Sequence, residues 1–258
     1  MNAKVCAALI AAVVLSLLAA GCMGGETPAP ADRPQYIVGI DGDYKPFSYI
    51  ESDGSAAGFD VESIQWIGEE MGFDVKIQPM AWDGIITSLV TKKIDMVYSG
   101  MTITPERQER VSFSNPYWIV NQAVAARADS SMTIEDVLAG KVIMGAQRGS
   151  TAADYIQTNL VDKGLLSEND FKLYTGFSLA VADLENERVD AVMFDVPVVN
   201  EFIQEKGLRK VGLVETDEEY GVAIRKEDTE LLATINEGID RLQASPKWDE
   251  LKQKYGLE

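Results

Sequence analysis

Residues 36–47, YIVGIDGDYKPF, decide the fold: a continuous apolar run, Tyr36-Ile37-Val38-Gly39-Ile40, breaks abruptly into Asp41-Gly42-Asp43-Tyr44. An unbroken run of that length bounded by turn residues reads as a fully buried strand. Downstream, Val61, Ile64, Ile67 and Met71 recur at three- and four-residue steps, predicting an amphipathic helix over 60–71. Asp74 to Ile77 reads as a second strand, Ile85, Ile86, Leu89 and Val90 mark a second helix, and Met96-Val97-Tyr98 is a third strand. A β-α-β-α-β order implies a parallel sheet covered by helices.

The pattern then restarts. Thr133-Ile134-Glu135-Asp136 has the form of a capping box and opens a helix to Ala139. Strands are expected over 141–146, 171–174 and 191–194, and helices over 151–161, 179–188 and 196–206. Extended passages at 120–127 and 211–224 separate the two blocks, and two helices, 229–244 and 246–255, close the chain. The expected fold class is therefore α/β with two lobes, each a mainly parallel sheet flanked by helices. Lobe 1 spans 35–120 plus 220–258 and lobe 2 spans 125–215, with the two crossings as hinge strands.

Composition narrows the chemistry. The 258 residues are 46% hydrophobic and 25% charged, as in a globular chain. A net charge of −18 argues against nucleic-acid partners, which require a basic face. Histidine is absent, which removes Ser-His-Asp and Cys-His catalysis and His-ligated zinc. Cys6 and Cys22 are the only cysteines, so no disulfide framework is available. No cofactor and no metal is expected.

The amino terminus reads as an address. Lys4 precedes an apolar run, Val5 to Ala20, too short to span a bilayer comfortably, so residues 1–21 are expected to be a signal peptide. The run ends Leu18-Ala19-Ala20-Gly21-Cys22, which resembles the lipobox of exported lipoproteins and marks Cys22 for lipidation. Residues 22–34, rich in Gly, Pro and small side chains, would be a lipid-anchored tether holding the protein on the outer face of the cell membrane.

In open parallel sheets ligands gather beyond the carboxyl ends of the strands. The suggestive clusters fall there: Asp41-Gly42-Asp43-Tyr44, Trp82-Asp83-Gly84, Ser99-Gly100-Met101-Thr102 with Arg107, then Gly149-Ser150-Thr151 and Asp195 in the second lobe. If both strand-end faces turn toward each other, these groups line one cleft. Arg107 can grip a carboxylate through two parallel charge-assisted bonds, and Asp195 can accept from an ammonium. A zwitterion, such as a free α-amino acid, satisfies both charges.

Six motifs in order carry a resemblance: Asp41-x-x-Tyr44-x-Pro46-Phe47, Gly58-Phe59-Asp60-Val61, Ser99-Gly100-Met101-Thr102-Ile103-Thr104-x-x-Arg107, Phe113-Ser114-x-Pro116-Tyr117, Gln147-x-Gly149-Ser150-Thr151 and Asp190-Ala191-x-x-x-Asp195. From Tyr36 to Gly256 the chain resembles the polar amino-acid-binding proteins of ABC importers, extracytoplasmic solute-binding family 3. The resemblance implies two α/β lobes closing on the ligand, in the manner of type II periplasmic binding proteins. It implies that Arg107 clamps the ligand carboxylate, helped by Thr102 and by backbone N–H groups near Gly100 and Thr151. Asp195 would hold the ammonium, with the Gly100 carbonyl and the Thr102 hydroxyl. Tyr44 and Trp82 would flank the side chain, Asp41 would meet a cationic one, and Ser99 and Ser150 complete the expected site. Gly100 departs from the serine that several basic-amino-acid binders carry.

The implied partners are a free amino acid and the permease and ATPase subunits of an importer, the binding protein itself acting as a monomer. Plainer roles stand beside these: Arg107 as a solvated helix residue, Asp195 as a helix cap, Asp60 as a cap without ligand role, and Glu69-Glu70 and Asp217-Glu218-Glu219 as solvated faces. A ligand-sensing module for a signalling partner and a cyclohexadienyl-dehydratase-like enzyme are the alternative functions; the expectation is a binding protein, not an enzyme.

Overall fold

A computed structural model describes residues 33–257. The expected signal segment 1–21, Cys22 and the expected tether as far as residue 32 lie outside the described residues. The chain runs β1 (Gln35–Ile40), β2 (Asp43–Tyr44), β3 (Ser48–Ile50), β4 (Ala56–Ala57), α1 (Phe59–Met71), β5 (Asp74–Pro79), α2 (Ile85–Val90), β6 (Met96–Val97), α3 (Pro105–Arg110), β7 (Ser112–Phe113) and β8 (Trp118–Ala126). It continues α4 (Ile134–Leu138), β9 (Met144–Gln147), α5 (Thr151–Ile156), β10 (Phe171–Tyr174), α6 (Phe177–Glu185), β11 (Ala191–Asp195), α7 (Val196–Lys206), β12 (Arg209–Tyr220), β13 (Ala223–Ile224), α8 (Thr229–Gln243) and α9 (Pro246–Lys254).

Each lobe is built on one five-stranded sheet, ordered β5-β1-β6-β13-β7 in the first and β10-β9-β11-β8-β12 in the second. In each, the first three strands pair in parallel and the last two pairings are antiparallel, so only β13 in the first sheet and β8 in the second run against the other four. The antiparallel members follow from connectivity. The long strands β8 and β12 pair with each other from Trp118↔Tyr220 to Ala126↔Arg209, entering and leaving lobe 2 as one ribbon. The chain thus crosses between the sheets twice, once after β7 and once before β13.

The apolar run 36–40 forms β1, an interior strand between β5 and β6, with Val38 and Ile40 fully buried. Helix α1 turns Phe59, Val61, Ile64 and Ile67 inward and leaves Glu69 and Glu70 exposed. The capping box of α4 is present, Thr133 and Asp136 each receiving the other's backbone N–H. The boundaries shift where a side chain finds a tertiary partner. The strand expected over 141–146 lies at 144–147, and the helix expected at 179 begins at Phe177, whose ring stacks on Phe194 at 4.4 Å. After Ile156 the expected helix relaxes into a π-helical stretch, Gln157–Val161. The small sheet β2-β3-β4 has no counterpart among the expected elements, since its strands of two or three residues are too short to show an alternating pattern.

Asp60 is not a helix cap. Gly58 is the N-cap of α1, and the Asp60 carboxylate turns into the interior, where its Oδ2 accepts from the Gly100 N–H at 2.6 Å and the Tyr117 hydroxyl at 3.0 Å. Burial pushes its pKa up to about 8. Among the described residues no helix is long and apolar enough to cross a membrane.

Candidate functional site

The carboxyl ends of β1, β5 and β6 in one lobe and of β9 and β11 in the other converge on a cavity of about 270 Å³. Asp41, Tyr44, Trp82, Ser99, Gly100, Thr102, Arg107, Ser150, Thr151 and Asp195, all singled out in the sequence, line it. Gln147 and Phe194 join them.

Arg107 is buried, not solvated as its polar neighbours suggest. Thr104 caps α3 by accepting from the Arg107 backbone N–H, which turns the side chain inward. The guanidinium donates to the Thr102 carbonyl (2.7 Å) and the Gly149 carbonyl (3.1 Å) and lies 5.6 Å from the Trp82 ring centroid. Trp82 in turn donates Nε1–H to the same Gly149 carbonyl at 3.0 Å. One backbone oxygen of lobe 2 therefore receives two lobe 1 side chains.

Asp195 faces this arginine from the other sheet. It begins α7 but makes no capping bond. Instead one carboxylate oxygen accepts from the Tyr44 hydroxyl and the other from the Gln122 amide. Burial, then the charge of Glu218, raises its pKa to about 6. Tyr44 also shares a 2.5 Å hydrogen bond with Tyr220. At the far wall Asp41 Oδ2 accepts from Gln147 Nε2 at 2.6 Å and Oδ1 from the Asp43 N–H. Burial lifts its pKa to about 6, the two donors pulling it back down. Ser99 accepts from the Asp41 N–H at 3.0 Å and bonds Ser48 at 2.7 Å, fixing the end of β1.

Two expectations change in detail. The Ser150 hydroxyl is engaged in capping α5, donating to Gln147 O and accepting from Ala153 N–H, although the residue lines the cavity. Of the backbone N–H groups near Gly100 expected to meet a ligand carboxylate, that of Gly100 itself donates to Asp60 and to the Tyr117 hydroxyl (3.2 Å).

The reading of Glu218 as part of a solvated face is corrected. It is half-buried, while Asp217 and Glu219 beside it are exposed, because alternate residues of a strand face opposite sides. Its carboxylate accepts from Thr102, Thr151 and Gln122. Gln122, Glu218 and Tyr220 lie on the crossing strands and carry no local signal, since their side-chain partners lie between 29 and 176 residues away.

The comparisons fit this geometry. Residues 36–258 match the model of the bacterial extracellular solute-binding proteins, family 3, and the chain belongs to that family. It is 34% identical over 258 residues to the L-arginine-binding protein of Pseudomonas aeruginosa, covering 96% of this chain and 95% of that one. The probable histidine-binding protein of Neisseria gonorrhoeae is 29% identical, with 96% and 94% covered. Among solved structures, an ancestral arginine-binding protein bound to glutamine superposes with a TM-score of 0.80 at 33% identity, covering 88% of this chain and 99% of that one.

Proposed function

We propose that this protein captures a free polar L-amino acid, most favourably a basic one, in the cavity between its lobes outside the cytoplasm, and passes it to the permease of an ABC importer. The observation that carries this reading is the placement of one buried guanidinium, Arg107, and one buried carboxylate, Asp195, on opposite lobes of the same small cavity. A ligand bearing a carboxylate and an ammonium compensates both, and leaving either unpaired in such a setting is costly. Charge balance favours a basic side chain. Arg107 stands against Asp41 and Asp195 in the wall and Glu218 just behind it, so a ligand of net charge +1 offsets more of the site than a neutral zwitterion. The relatives named for arginine and histidine support that direction, and the ancestral structure bound to glutamine supports the wider polar class.

In this reading 35–120 plus 220–258 and 125–215 are the two jaws, and β8 and β12 are the hinge strands. Residues 1–21 direct export, and a lipidated Cys22 with the following tether holds a monomer at the membrane face, near the permease and its ATPase subunit. The protein binds and releases its ligand unchanged; incubation with prephenate or arogenate, with product formation as readout, tests that point.

A thermal-shift screen of the twenty amino acids and ornithine tests the function. A ligand at a hundred times its Kd adds about 2.7 kcal/mol to stability. The largest rise is expected for arginine, lysine, ornithine or histidine; no rise with any of them overturns the reading.

A further inference from the structure

Each of the hydroxyls of Thr102 and Thr151 has a single proton to donate. Thr102 follows β6 in lobe 1, Thr151 opens α5 in lobe 2, and both give that proton to the same oxygen, Oε2 of Glu218, at 2.8 and 2.6 Å. Glu218 Oε1 accepts from Gln122 Nε2 at 2.9 Å, and the same amide nitrogen donates to Asp195. The Gln122 carbonyl oxygen points away, buried and without a partner among the described residues. Reversing that amide would set its carbonyl oxygen against two carboxylates. The Gln122 amide nitrogen also lies 3.4 Å from the Thr151 hydroxyl oxygen as a longer donor contact, and both threonine protons are committed to Glu218.

We propose that Glu218 is a positioning residue that fixes the polarity of the Asp195 side of the cavity: by taking the protons of Thr102 and Thr151 it leaves their hydroxyl oxygens as acceptors toward the ligand, which selects an ammonium there over a hydroxyl. This rests on the amino-acid reading above and extends it to a residue on the hinge ribbon that does not line the cavity. Threonine hydroxyls rotate to suit their surroundings, and without an outside acceptor they would offer a donor to any ligand. With Glu218 in place they cannot do so without losing a charge-assisted bond. Because one oxygen gathers a hydroxyl from each lobe, the polarity is set only when the lobes are together.

The test compares two matched pairs by calorimetry at neutral pH: L-arginine against L-argininic acid, and L-histidine against its 2-hydroxy analogue, in each of which a hydroxyl replaces the α-ammonium. In Glu218→Gln the new amide nitrogen donates toward a threonine and turns a hydroxyl proton into the cavity. The preference for the amino acid over its hydroxy analogue is expected to fall by about ten-fold or more, the scale of one charge-assisted hydrogen bond, with the hydroxy acid binding as well as before. A hinge residue with a purely structural role would weaken both members of a pair alike, and an unchanged ratio overturns the proposal. Thr151→Val, which removes one oriented oxygen and leaves Glu218 in place, provides a second variant: a selective loss for the amino acid supports the proposal and an equal loss for both probes overturns it. If the wild-type protein binds neither amino acid, the reading of the cavity falls, and this inference with it; if it binds one and the ratio does not move, only the role of Glu218 falls.

Discussion

A Cβ at position 100 would stand 2.3 Å from Cε1 of Tyr44. The Tyr44 ring occupies the space that a serine side chain would need, and from there its hydroxyl reaches Asp195 in the other lobe. Gly100 also has a φ of +52°, a conformation that side chains adopt only with strain. The departure of this position from serine and the contact across the cleft are thus one feature. Gly100→Ser is expected to destabilise the protein by about 1–3 kcal/mol, as overpacked sites do. In Tyr44→Ala the same substitution should cost measurably less, so a double-mutant cycle from denaturant unfolding should show coupling. Additive effects would mean that the ring moves aside freely.

Removal of the guanidinium tests the carboxylate clamp. Arg107→Ala is expected to weaken amino-acid binding by about 2–5 kcal/mol, the range for truncating one member of a buried charge pair. Part of that loss comes from the Thr102 carbonyl, which Arg107 now holds and which the substitution leaves free, whereas the Gly149 carbonyl keeps its bond from Trp82. Calorimetry giving the wild-type Kd would remove Arg107 from the site.

Asp41 separates basic from neutral ligands. Its carboxylate sits in the wall with Gln147, away from the array around Asp195. Asp41→Asn should lower affinity for arginine or lysine by about ten-fold or more while leaving a neutral amino acid such as glutamine within about two-fold. An equal loss for both would assign Asp41 to the scaffold of the cavity.

Affinity should fall with acidification. Asp41 and Asp195 have pKa values near 6 before a cation is present, so both are charged above that pH and neutral below it. A cationic ligand favours their charged forms, and binding then releases protons. Affinity for a basic amino acid should be flat above about pH 7 and decline as pH drops through 6; a pH-independent Kd between 5 and 7.5 would count against both carboxylates as cation partners.

Asp60 makes the opposite contribution to stability. Its folded-state pKa is raised from 3.8 to about 8, so between those values the folded protein holds a proton that the unfolded chain has released. Stability from this group is greatest at acid pH and declines as pH rises through the window, by up to about 1.4 kcal/mol per pH unit. Asp60→Asn keeps an acceptor for Gly100 N–H and Tyr117 OH without the titration. It should gain stability relative to wild type at pH 8 but not at pH 4 in denaturant unfolding. A gap between the two proteins that does not change with pH would contradict this.

Periodicity and strand-end chemistry were enough to foresee much of this molecule. The apolar run 36–40, the stripe Val61-Ile64-Ile67 and the restart at Thr133 are local signals, because a buried strand and an amphipathic helix are each set by neighbours within a few residues. The cluster from Ser99 to Arg107 and the pair Asp195 and Thr151 were legible for a related reason. A parallel sheet places the ends of its strands on one side whatever the details of packing.

What folding alone decided is which way each polar group points. Nothing near Glu218 in the chain tells it from Glu219, yet the pleat turns one inward behind the cavity wall and the other to solvent. Asp60 looked like a helix cap until the Gly100 N–H, forty residues on, claimed its carboxylate. Local sequence governs the period of a segment, but a hydrogen bond between Gln122 and Asp195 exists only once two distant strands have been brought into register. The residue types set what the cavity contains, and the three-dimensional arrangement sets the direction of every proton in it.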